Sequence, residues 1–469
     1  MPRTTAIVLA AGQGTRMKSR RAKVLHELCG KPMLHHVLDA ALEGGVDDLI
    51  VVVGHDGEAV TASLAKYGDR ARTVTQDKQL GTGHAVGCAL PALAEGTELA
   101  MILCGDTPLV KTEDLARLAS ALQAGQNEIA LLTCRVPDPT GYGRIIRDEQ
   151  GRVRGIREHK DSSEAERAID EINPAMYLAR VPFLKTAVAG LTTDNAQGEL
   201  YFTDVVARGA EKGAATSVSC DDAGSLVGIN DRAQLHAAEE ALYRRTSDRL
   251  RKSGVTIRGD ARIDVGVAVE PEAIIEHGVV LRGATVVRAG ARIDVGAVLT
   301  DVEVGEDVRI LPYCVASKSR IDKEAQVGPF SHVRPESVIG ESAHIGNFVE
   351  TKKTILHKGA KANHLAYLGD GEIGEGANVG AGTIFCNYDG FQKHKTDIGP
   401  GAFIGSDSQL VAPIRIGANA YVATGTTVTK DVPDEALAIA RLRQENKEGY
   451  APRLRSRMKA AKEAANKKG

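Results

Sequence analysis

The sequence of 469 residues contains no tryptophan, and aromatic residues make up only 4% of it. Its seven cysteines are scattered without a C-x-x-C pair, a pattern that supports neither a cysteine-bound zinc site nor a disulfide framework. A net charge of −2 argues against nucleic-acid binding driven by global charge. No apolar run approaches the ~20 residues of a membrane span, and the run at residues 6–11 is too short for a signal peptide. We therefore expect a cytoplasmic protein without nucleic-acid or membrane partners.

Glycine and small apolar residues are abundant instead. Fifty glycines accompany a hydrophobic share of 43%, which excludes a disordered chain. At ~150 residues for a typical domain, the length suggests about three domains. A chain of this composition buries small and β-branched side chains and turns tightly at many positions, which favours a repeat architecture.

The second half contains that repeat. Aliphatic residues recur every six positions from Ile257 to Val428, with a one-residue slip before Val304. Such a period is typical of a parallel β-helix built from hexapeptides, whose narrow triangular core has no room for tryptophan. The phase is interrupted around residues 352–368 and 385–395, and we expect functional loops to leave the coil at both places.

The first half alternates short apolar runs with helical patterns. Thr5–Ala10, Leu49–Val53 and Leu99–Leu103 fit strands buried on both faces. Their alternation with helices predicts a Rossmann-like, mostly parallel α/β sheet, which binds ligands at the carboxyl ends of its strands.

A glycine-containing loop follows the first of these strands. Gly12 and Gly14 allow backbone N–H groups to approach a phosphate, and Arg16 adds positive charge. The segment lacks both the Walker ending and the G-x-G-x-x-G spacing, which disfavours an ordinary P-loop or an NAD site. A simple tight turn remains the alternative interpretation.

Other polar residues fall near the same edge of the predicted sheet. Asp106 follows the third strand, where it is either a ligand of Mg²⁺ or an Asx-type turn before Pro108. Lys23 is a candidate for a second phosphate contact. Gln76 and residues 81–83 either read the edge of a base or form turns.

Four sequence blocks together resemble the sugar-1-phosphate nucleotidyltransferase family: L-A-A-G-Q-G-T-R-M (9–17), K-V-L-H (23–26), Q-L-G-T-G-H-A (79–85) and G-D-T-P-L (105–109). With a hexapeptide β-helix behind them, residues 3–450 resemble the bifunctional family that joins an N-acetylglucosamine-1-phosphate uridyltransferase to a glucosamine-1-phosphate acetyltransferase. The resemblance implies a left-handed β-helix, a homotrimer with acetyl sites shared between neighbours, and the synthesis of UDP-N-acetylglucosamine, a precursor of peptidoglycan and lipopolysaccharide. The domains are then a nucleotidyltransferase (1–231), a linker helix (232–253), an acetyltransferase β-helix (254–440) and a basic tail (441–469).

For the first activity, the resemblance implies binding of UTP and N-acetylglucosamine 1-phosphate with release of pyrophosphate. The implied ligand contacts are Leu9, Ala10, Ala11, Gly12, Arg16, Lys23, Gln76, Gly81, Thr82, Gly143, Glu158, Asn173 and Asn230. Asp106 and Asn230 are implied to hold Mg²⁺. Since phosphoryl transfer depends on positioning and charge neutralisation, no protein nucleophile is expected.

For the second activity, the resemblance makes His364 the general base that deprotonates the amine of glucosamine 1-phosphate during attack on acetyl-CoA. The implied sugar-phosphate contacts are Arg334, Lys352, Tyr367 and Asn378. The implied acetyl-CoA contacts are Ala381, Asn387, Tyr388, Ser406, Thr424 and Arg441, and Asn387 and Tyr388 also orient the amine and the base. Because the reaction needs no second acyl-carrier step, Cys386 is interpreted as a packing residue rather than a nucleophile.

The sequence departs from the family pattern at a few positions. Ala22 stands where a proline usually precedes the lysine, Pro174-Ala175 stands where a glycine is common two residues after Asn173, and Thr424 stands where alanine is common. Two other hypotheses stay open: a single-activity nucleotidyltransferase whose β-helix only oligomerises it, and a non-catalytic assembly scaffold.

Overall fold

The computed structural model describes residues 2–54 and 57–466. The chain forms two compact units. The first comprises Met1–Arg249 and Arg262–Gly266, and the second comprises Leu250–Ala261 and Val267–Gly469.

The first unit is built on one mixed sheet with a small separate hairpin. Its strands are β1 (Thr4–Leu9), β2 (Glu27–Leu28), β3 (Lys31–Pro32), β4 (Asp48–Val53), β5 (Ala71–Thr75), β6 (Leu99–Cys104), β7 (Ile129–Arg135), β8 (Gly143–Arg147), β9 (Val153–Arg157), β10 (Glu171–Asn173), β11 (Tyr177–Arg180) and β12 (Ala215–Cys220). Its helices are α1 (Met33–Glu43), α2 (Glu58–Ser63), α3 (Thr82–Ala89), α4 (Thr112–Gln123), α5 (Glu164–Arg167), α6 (Val181–Ala189) and α7 (Thr203–Glu211).

The sheet has the order β5-β4-β1-β6-β11-β7-β10-β8-β9, with β12 also paired to β7. Strands β5, β4, β1 and β6 are parallel, whereas β11 joins β6 and β7 antiparallel. Apolar clusters cover both faces, one containing Leu38 and Leu118 and the other Val86 and Phe202. The predicted α/β sheet is confirmed, and its four parallel strands end at the same edge.

A long helix, α8 (Arg232–Lys252), follows this sheet. Its apolar residues Ala238 and Leu242 pack in one cluster with Met17, Leu28 and Ile229. The amino-terminal part of α8 is thereby packed against the segments that follow β1 and β12.

The second unit consists of short parallel strands. They are β13 (Thr256–Ile257), β14 (Arg262–Ile263, counted with the first unit), β15 (Ala268–Val269), β16 (Ile274–Ile275), β17 (Val280–Arg282), β18 (Val286–Val287), β19 (Arg292–Ile293), β20 (Val298–Val304), β21 (Arg309–Ile310), β22 (Val315–Ile321), β23 (Gln326–Val327), β24 (His332–Val333), β25 (Val338–Ile339), β26 (His344–Asn347), β27 (Glu350–Leu356), β28 (Lys361–His364), β29 (Tyr367–Ile373), β30 (Asn378–Val379), β31 (Ile384–Cys386), β32 (Thr396–Ile398), β33 (Phe403–Ile404), β34 (Gln409–Val411), β35 (Ile414–Ile416), β36 (Tyr421–Val422), β37 (Thr427–Val428) and β38 (Leu437–Ala438).

These strands stack as the coils of a solenoid. In a regular coil each residue pairs with the residue three hexapeptides later, as Val280 pairs with Val298. The aliphatic residues of the sequence period, such as Leu281, Ile293 and Ile345, are completely buried. The parallel strand repeats are those of the predicted left-handed hexapeptide β-helix, and the fold class is confirmed.

The structure corrects one of the two expected loops. No loop leaves the coil at residues 352–368, where β27, β28 and β29 continue the stack. Thr351 and Ala362 are fully buried at core positions, so small residues replace the expected aliphatic ones. The coil is also one residue short, since Glu350 pairs with Tyr367. The apparent interruption is therefore a change of core side chain and of coil length.

The second expected loop is present. Tyr367 pairs with Ile384, but Ile384 pairs with Gln409, which lies well beyond the end of a regular coil. The additional residues form the loop 387–395 between β31 and β32.

The basic tail contains the helix α9 (Tyr450–Asn466), and residues 467–469 of that predicted segment lie outside the described residues. Among the described residues, no helix is long and apolar enough to cross a membrane.

Candidate active sites

A cavity of about 320 Å³ opens at the carboxyl edge of the first unit's sheet. It forms there because the loops after β1, β5 and β6 leave neighbouring strands at one edge. Most of the predicted nucleotide contacts line it, namely Leu9, Ala10, Ala11, Gly12, Lys23, Gln76, Gly81, Thr82 and Asp106. Gln76 is itself buried and donates its amide to the Gly81 carbonyl over 3.1 Å, which fixes its orientation beside the loop.

One lysine connects the polar groups at the inner end of this cavity. Lys23 Nζ donates to Asp106 Oδ2 over 2.5 Å and to Asn230 Oδ1 over 2.8 Å. Arg16 donates to the same Asn230 oxygen over 2.8 Å. The Ile229 N–H donates to the Asp106 carbonyl over 2.9 Å, so the two oxygen-bearing segments are joined through their backbones. The carboxylate and the amide oxygen therefore converge on one point although they are far apart in the chain.

These oxygens have the chemistry of a Mg²⁺ site. A carboxylate and a side-chain amide are hard oxygen donors, which Mg²⁺ prefers, and it commonly binds through one or two protein ligands and substrate phosphates. Among the described residues there is no cluster of three or more His, Cys, Asp or Glu side chains suited to a metal ion. The donor set thus fits a metal whose remaining ligands are phosphate and water oxygens.

The predicted sugar contacts form a second group on β8, β10 and the segment after β9. Gly143 pairs with Asn173, and a Cβ atom at Gly143 would lie 3.5 Å from Glu158 Oε2. Burial raises the pKa of Glu158, and the neighbouring carboxylates Asp161 and Asp204 raise it further against a bond from Thr203. Glu158 is thus a carboxyl held in apolar and acidic surroundings at the end of the strand.

The departure at Pro174-Ala175 has a conformational consequence. Ala175 has a φ of +59°, in the left-handed region that favours glycine. Its N–H donates to Asn173 Oδ1 over 3.0 Å, and Asn173 Nδ2 donates to the Tyr177 hydroxyl over 2.7 Å. The glycine-type turn is therefore retained with alanine in it, held by the side chain of Asn173.

Five residues that line the nucleotide cavity were not predicted as contacts, namely Val24, Gln79, Ala85, Cys104 and Glu199, and two of them carry an amide or carboxylate side chain. Gln79 and Glu199 both line it, and Gln79 donates to the Ala11 carbonyl over 2.7 Å. The segment at Glu199 is held against residues 81–83, since the Gly83 N–H donates to Leu200 O over 2.8 Å and the Phe202 N–H donates to Thr82 Oγ1 over 3.1 Å. Gln79 lies within a quoted sequence block, but nothing local in the sequence marks Glu199.

In the second unit, His364 lies at the end of β28, directly beside a residue of the preceding coil. Its Nδ1 donates to Asn347 Oδ1 over 2.9 Å, and the two residues are partners in the strand register. An amide oxygen only accepts hydrogen bonds, so Nδ1 carries the proton and the lone pair resides on Nε2. The ring is exposed, which leaves Nε2 accessible to a ligand.

Several predicted sugar-phosphate contacts are stacked on consecutive coils. Lys352 pairs with Gly369, and the Arg334 N–H donates to Thr351 O over 2.9 Å, which places Arg334 one coil earlier beside Lys352. A Cβ atom at Gly369 would lie 2.6 Å from both Tyr367 Oη and Asn387 Nδ2. The absence of a side chain at Gly369 therefore allows these two groups to lie close to its backbone, at the register partner of Lys352.

The loop 387–395 is ordered by its own polar groups. Asn387 Nδ2 donates to Asp370 Oδ2 over 2.5 Å, and the Tyr388 hydroxyl donates to Gly390 O over 2.6 Å. Lys393 Nζ lies 4.3 Å from the centre of the Tyr388 ring, a cation–π contact that sequence reasoning missed. Backbone N–H groups hold the pKa of Asp389 well below its usual range.

The predicted acetyl-CoA contacts form a ladder across three coils. The Asp407 N–H donates to Ala381 O over 2.7 Å, and the Gly425 N–H donates to Ser406 O over 2.9 Å. Arg441 Nη1 donates to Thr424 O over 2.6 Å at the end of the ladder. Four predicted contacts, Ala381, Ser406, Thr424 and Arg441, thus follow one edge of the solenoid.

Two predicted residues stand apart from these groups. Asn378 lies on β30 in the sheet that contains β28, in register with Lys361 rather than with His364. Cys386 is half-buried at the end of β31, and burial raises the pKa of its thiol, which disfavours the thiolate needed for nucleophilic attack.

The chain is similar to known proteins over both units. A family model described as a MobA-like NTP transferase domain matches residues 6–171. Over 97% of its length the chain is 68% identical to the bifunctional protein GlmU of Sorangium cellulosum strain So ce56, and it covers 98% of that protein. It is 50% identical to bifunctional protein GlmU of Anaeromyxobacter sp. strain Fw109-5, over 98% of this chain and 95% of that one. It is 47% identical to that of Brevibacillus brevis, over 97% and 98%.

Proposed function

This chain belongs to the family of bifunctional GlmU proteins, and from that premise we propose which of its residues perform each of two transferase reactions. The first unit transfers UMP from UTP to N-acetylglucosamine 1-phosphate. The second unit supplies that sugar by acetylating glucosamine 1-phosphate with acetyl-CoA. The observation that carries the first assignment is the cavity that joins the loop at Gly12, the base-side residue Gln76 and the Lys23–Asp106–Asn230 cluster.

In the uridylyl transfer, a phosphate oxygen of the sugar phosphate attacks the α-phosphorus of UTP, and pyrophosphate leaves with the electrons of the broken P–O bond. Lys23 and Arg16 neutralise phosphate charge, while Gln76, Gly81 and Thr82 hold uracil. Asp106 and Asn230 would hold a magnesium ion, which would neutralise charge on the phosphates. Glu158 accepts hydrogen bonds from the hydroxyl and amide groups of the sugar, and Asn173 accepts and donates bonds with the same groups. Since the reacting groups belong to the substrates, the protein's task is positioning and electrostatic stabilisation.

In the acetyl transfer, the amine of glucosamine 1-phosphate attacks the thioester carbon, and the thiolate of coenzyme A leaves. His364 Nε2 accepts the amine proton, since the Asn347 bond keeps the proton of the ring on Nδ1. Arg334 and Lys352 bind the sugar phosphate as a stacked pair of cations. The Ala381–Ser406–Thr424 ladder accepts the extended coenzyme, and Arg441 binds its anionic end.

We further propose that the second unit works as a homotrimer with shared acetyl sites. Among the described residues, no hydrogen bond joins His364 to Asn378 or to the coenzyme ladder. A column of exposed apolar side chains ends beside His364, at Tyr313, Phe330, Phe348 and Leu365, and the first three are stacked. Such a column favours burial against a second copy. Sedimentation equilibrium tests the assembly, and Phe348→Glu is expected to dissociate it and to abolish acetyl transfer.

We also propose that the protein is cytoplasmic. All seven cysteines are free in the structure, which suits a reducing compartment.

The experiment that tests the bifunctional assignment supplies Mg²⁺, UTP, glucosamine 1-phosphate and acetyl-CoA to the purified protein and follows products by mass spectrometry. His364→Ala should abolish acetyl transfer and leave uridylyl transfer from ready-made N-acetylglucosamine 1-phosphate intact. Asp106→Ala should give the reverse pattern. Equal loss of both activities in either variant would contradict independent sites, and no acetyl transfer by the wild type would favour a purely structural β-helix.

A further inference from the structure

The helix α9 is a feature that neither reaction uses. All of its residues from Tyr450 to Asn466 are exposed. It carries five cationic side chains and one carboxylate, a net charge of +4 in a chain whose total is −2. A cationic helix in a nearly neutral protein indicates a local electrostatic role rather than general solubility.

The side chains of α9 are segregated around the helix. At 3.6 residues per turn, its large apolar residues Tyr450, Leu454 and Met458 fall on one stripe, within roughly 100° of the circumference, together with three alanines. The exposed fractions of these three side chains are 46%, 37% and 64%. The alanines of the stripe are Ala451, Ala461 and Ala465.

The cations are placed at the two edges of that stripe. Arg455, Lys459 and Lys462 follow one edge, and Arg453 and Arg457 follow the other. Glu463, the only carboxylate of the helix, lies on the opposite face with Ser456. Long cationic side chains at the edges of an apolar face extend outward while their stems add to the apolar surface.

We propose that α9 is an interfacial helix that lies flat on an anionic phospholipid surface. Its apolar stripe enters the boundary between headgroups and acyl chains, and the flanking cations bind lipid phosphates. Charge complementarity favours this occupant, because both edges of the stripe are cationic and the single carboxylate points away. A nucleic acid requires cations on the contact face and has no use for Tyr450, Leu454 and Met458 there. The sequence has no apolar run long enough to cross a bilayer, but a helix that lies on the bilayer surface does not need one.

The absence of tryptophan from the sequence provides a direct test with the full-length protein. Met458→Trp places a single tryptophan in the stripe, and Ser456→Trp places it on the opposite face as a matched control. With vesicles of phosphatidylcholine and phosphatidylglycerol, Met458→Trp should show a blue shift and protection from an aqueous quencher. Ser456→Trp should show neither, and vesicles of phosphatidylcholine alone should bind weakly.

Charge variants test the electrostatic part. Arg455→Gln combined with Lys462→Gln should weaken co-sedimentation with the anionic vesicles about 30-fold, at about fivefold for each cation near the surface. Arg154→Gln combined with Lys185→Gln removes the same charge from exposed positions of the first unit and should leave binding unchanged. Both transferase activities in solution should be unaffected by either pair.

Three outcomes would overturn the proposal. The first is the same fluorescence response from both tryptophan positions, which would show that the stripe is not the inserted face. The second is a tryptophan at position 458 that is already protected without lipid and insensitive to vesicles, which would show that the stripe packs against another copy of the chain. The third is binding of duplex DNA that competes with the vesicles and persists in Met458→Ser, which would make α9 a nucleic-acid contact.

Discussion

The hydrogen bond between Asn347 and His364 allows a sharp test of the acetyltransferase mechanism. The bond is 2.9 Å long and joins register partners on adjacent coils, so Asn347 is placed to orient the ring. We predict that Asn347→Ala lowers kcat of acetyl transfer while the KM values for both substrates stay the same. The ring then samples other orientations and the tautomer in which Nε2 carries the proton and is not a base.

The size of the effect follows from the bond itself. A neutral hydrogen bond contributes a net ~0.5–1.5 kcal/mol. If its loss destabilises only the productive orientation of the ring, kcat should decrease roughly two- to twelvefold. Asn347→Asp should restore activity, because a carboxylate accepts the same bond. The acidic limb of its kcat profile should move to higher pH, since a carboxylate beside the ring stabilises the imidazolium form.

Steady-state kinetics at several pH values, with uridylyl transfer measured in the same preparations as the control, provide the readout. The double variant Asn347→Ala with His364→Ala should be no slower than His364→Ala alone, because the asparagine acts only through the histidine. An unchanged kcat in Asn347→Ala would refute the orienting role. So would a further decrease in the double variant.

Three further predictions concern other sites. Since the pKa of Glu158 is raised, its carboxyl protonates at higher pH than that of an ordinary glutamate. The KM for N-acetylglucosamine 1-phosphate should therefore rise as the pH falls through the raised pKa. Glu158→Gln should raise KM at least ~10-fold and remove this pH dependence, as initial rates would show. Ala175→Gly should relieve left-handed strain and raise the free energy of unfolding by about 1 kcal/mol, seen as a Tm increase of ~2–4 °C, and an unchanged or lower Tm would contradict this. Gly369→Ala should reduce acetyl transfer at least ~10-fold, because its Cβ would meet Tyr367 and Asn387, with normal uridylyl transfer as the control.

The fold could be predicted from the sequence because each half repeats one physical pattern. Strands buried on both faces are continuous apolar runs, and the buried β1, β4 and β6 match the three runs recognised in the sequence. The strands β8 to β11 were not predicted, because they are short and their apolar residues are interrupted by charged or polar ones, as in β8 (GRIIR) and β10 (EIN). In the solenoid, the six-residue period indicates the core wherever the core residue is aliphatic.

Residue roles at the nucleotide cavity came from motifs close together in the chain and from the family resemblance. Local spacing indicates that the loop at Gly12 and Asp106 share a sheet edge, because both follow parallel strands. It does not show that Lys23 lies between Asp106 and Asn230, since that arrangement depends on the packing of the segment before α8. Glu199 lines the cavity because backbone bonds hold its segment against residues 81–83, and such bonds do not depend on residue type.

In the solenoid, the length of each coil decides which polar residues become neighbours. A regular coil of three hexapeptides would place Gly346 beside His364, and glycine offers no side chain to hydrogen-bond the ring. This coil is one residue shorter, and Asn347 takes the position instead. The shortening falls between the buried core positions Thr351 and Leu356, which are one residue closer together than the period requires, and threonine conceals the period there. The same shortening pairs Lys352 with Gly369, so one missing residue sets both the His364–Asn347 and the Lys352–Gly369 register. Restoring one residue between Thr351 and Leu356 should therefore separate His364 from Asn347 while the coils on either side keep their cores.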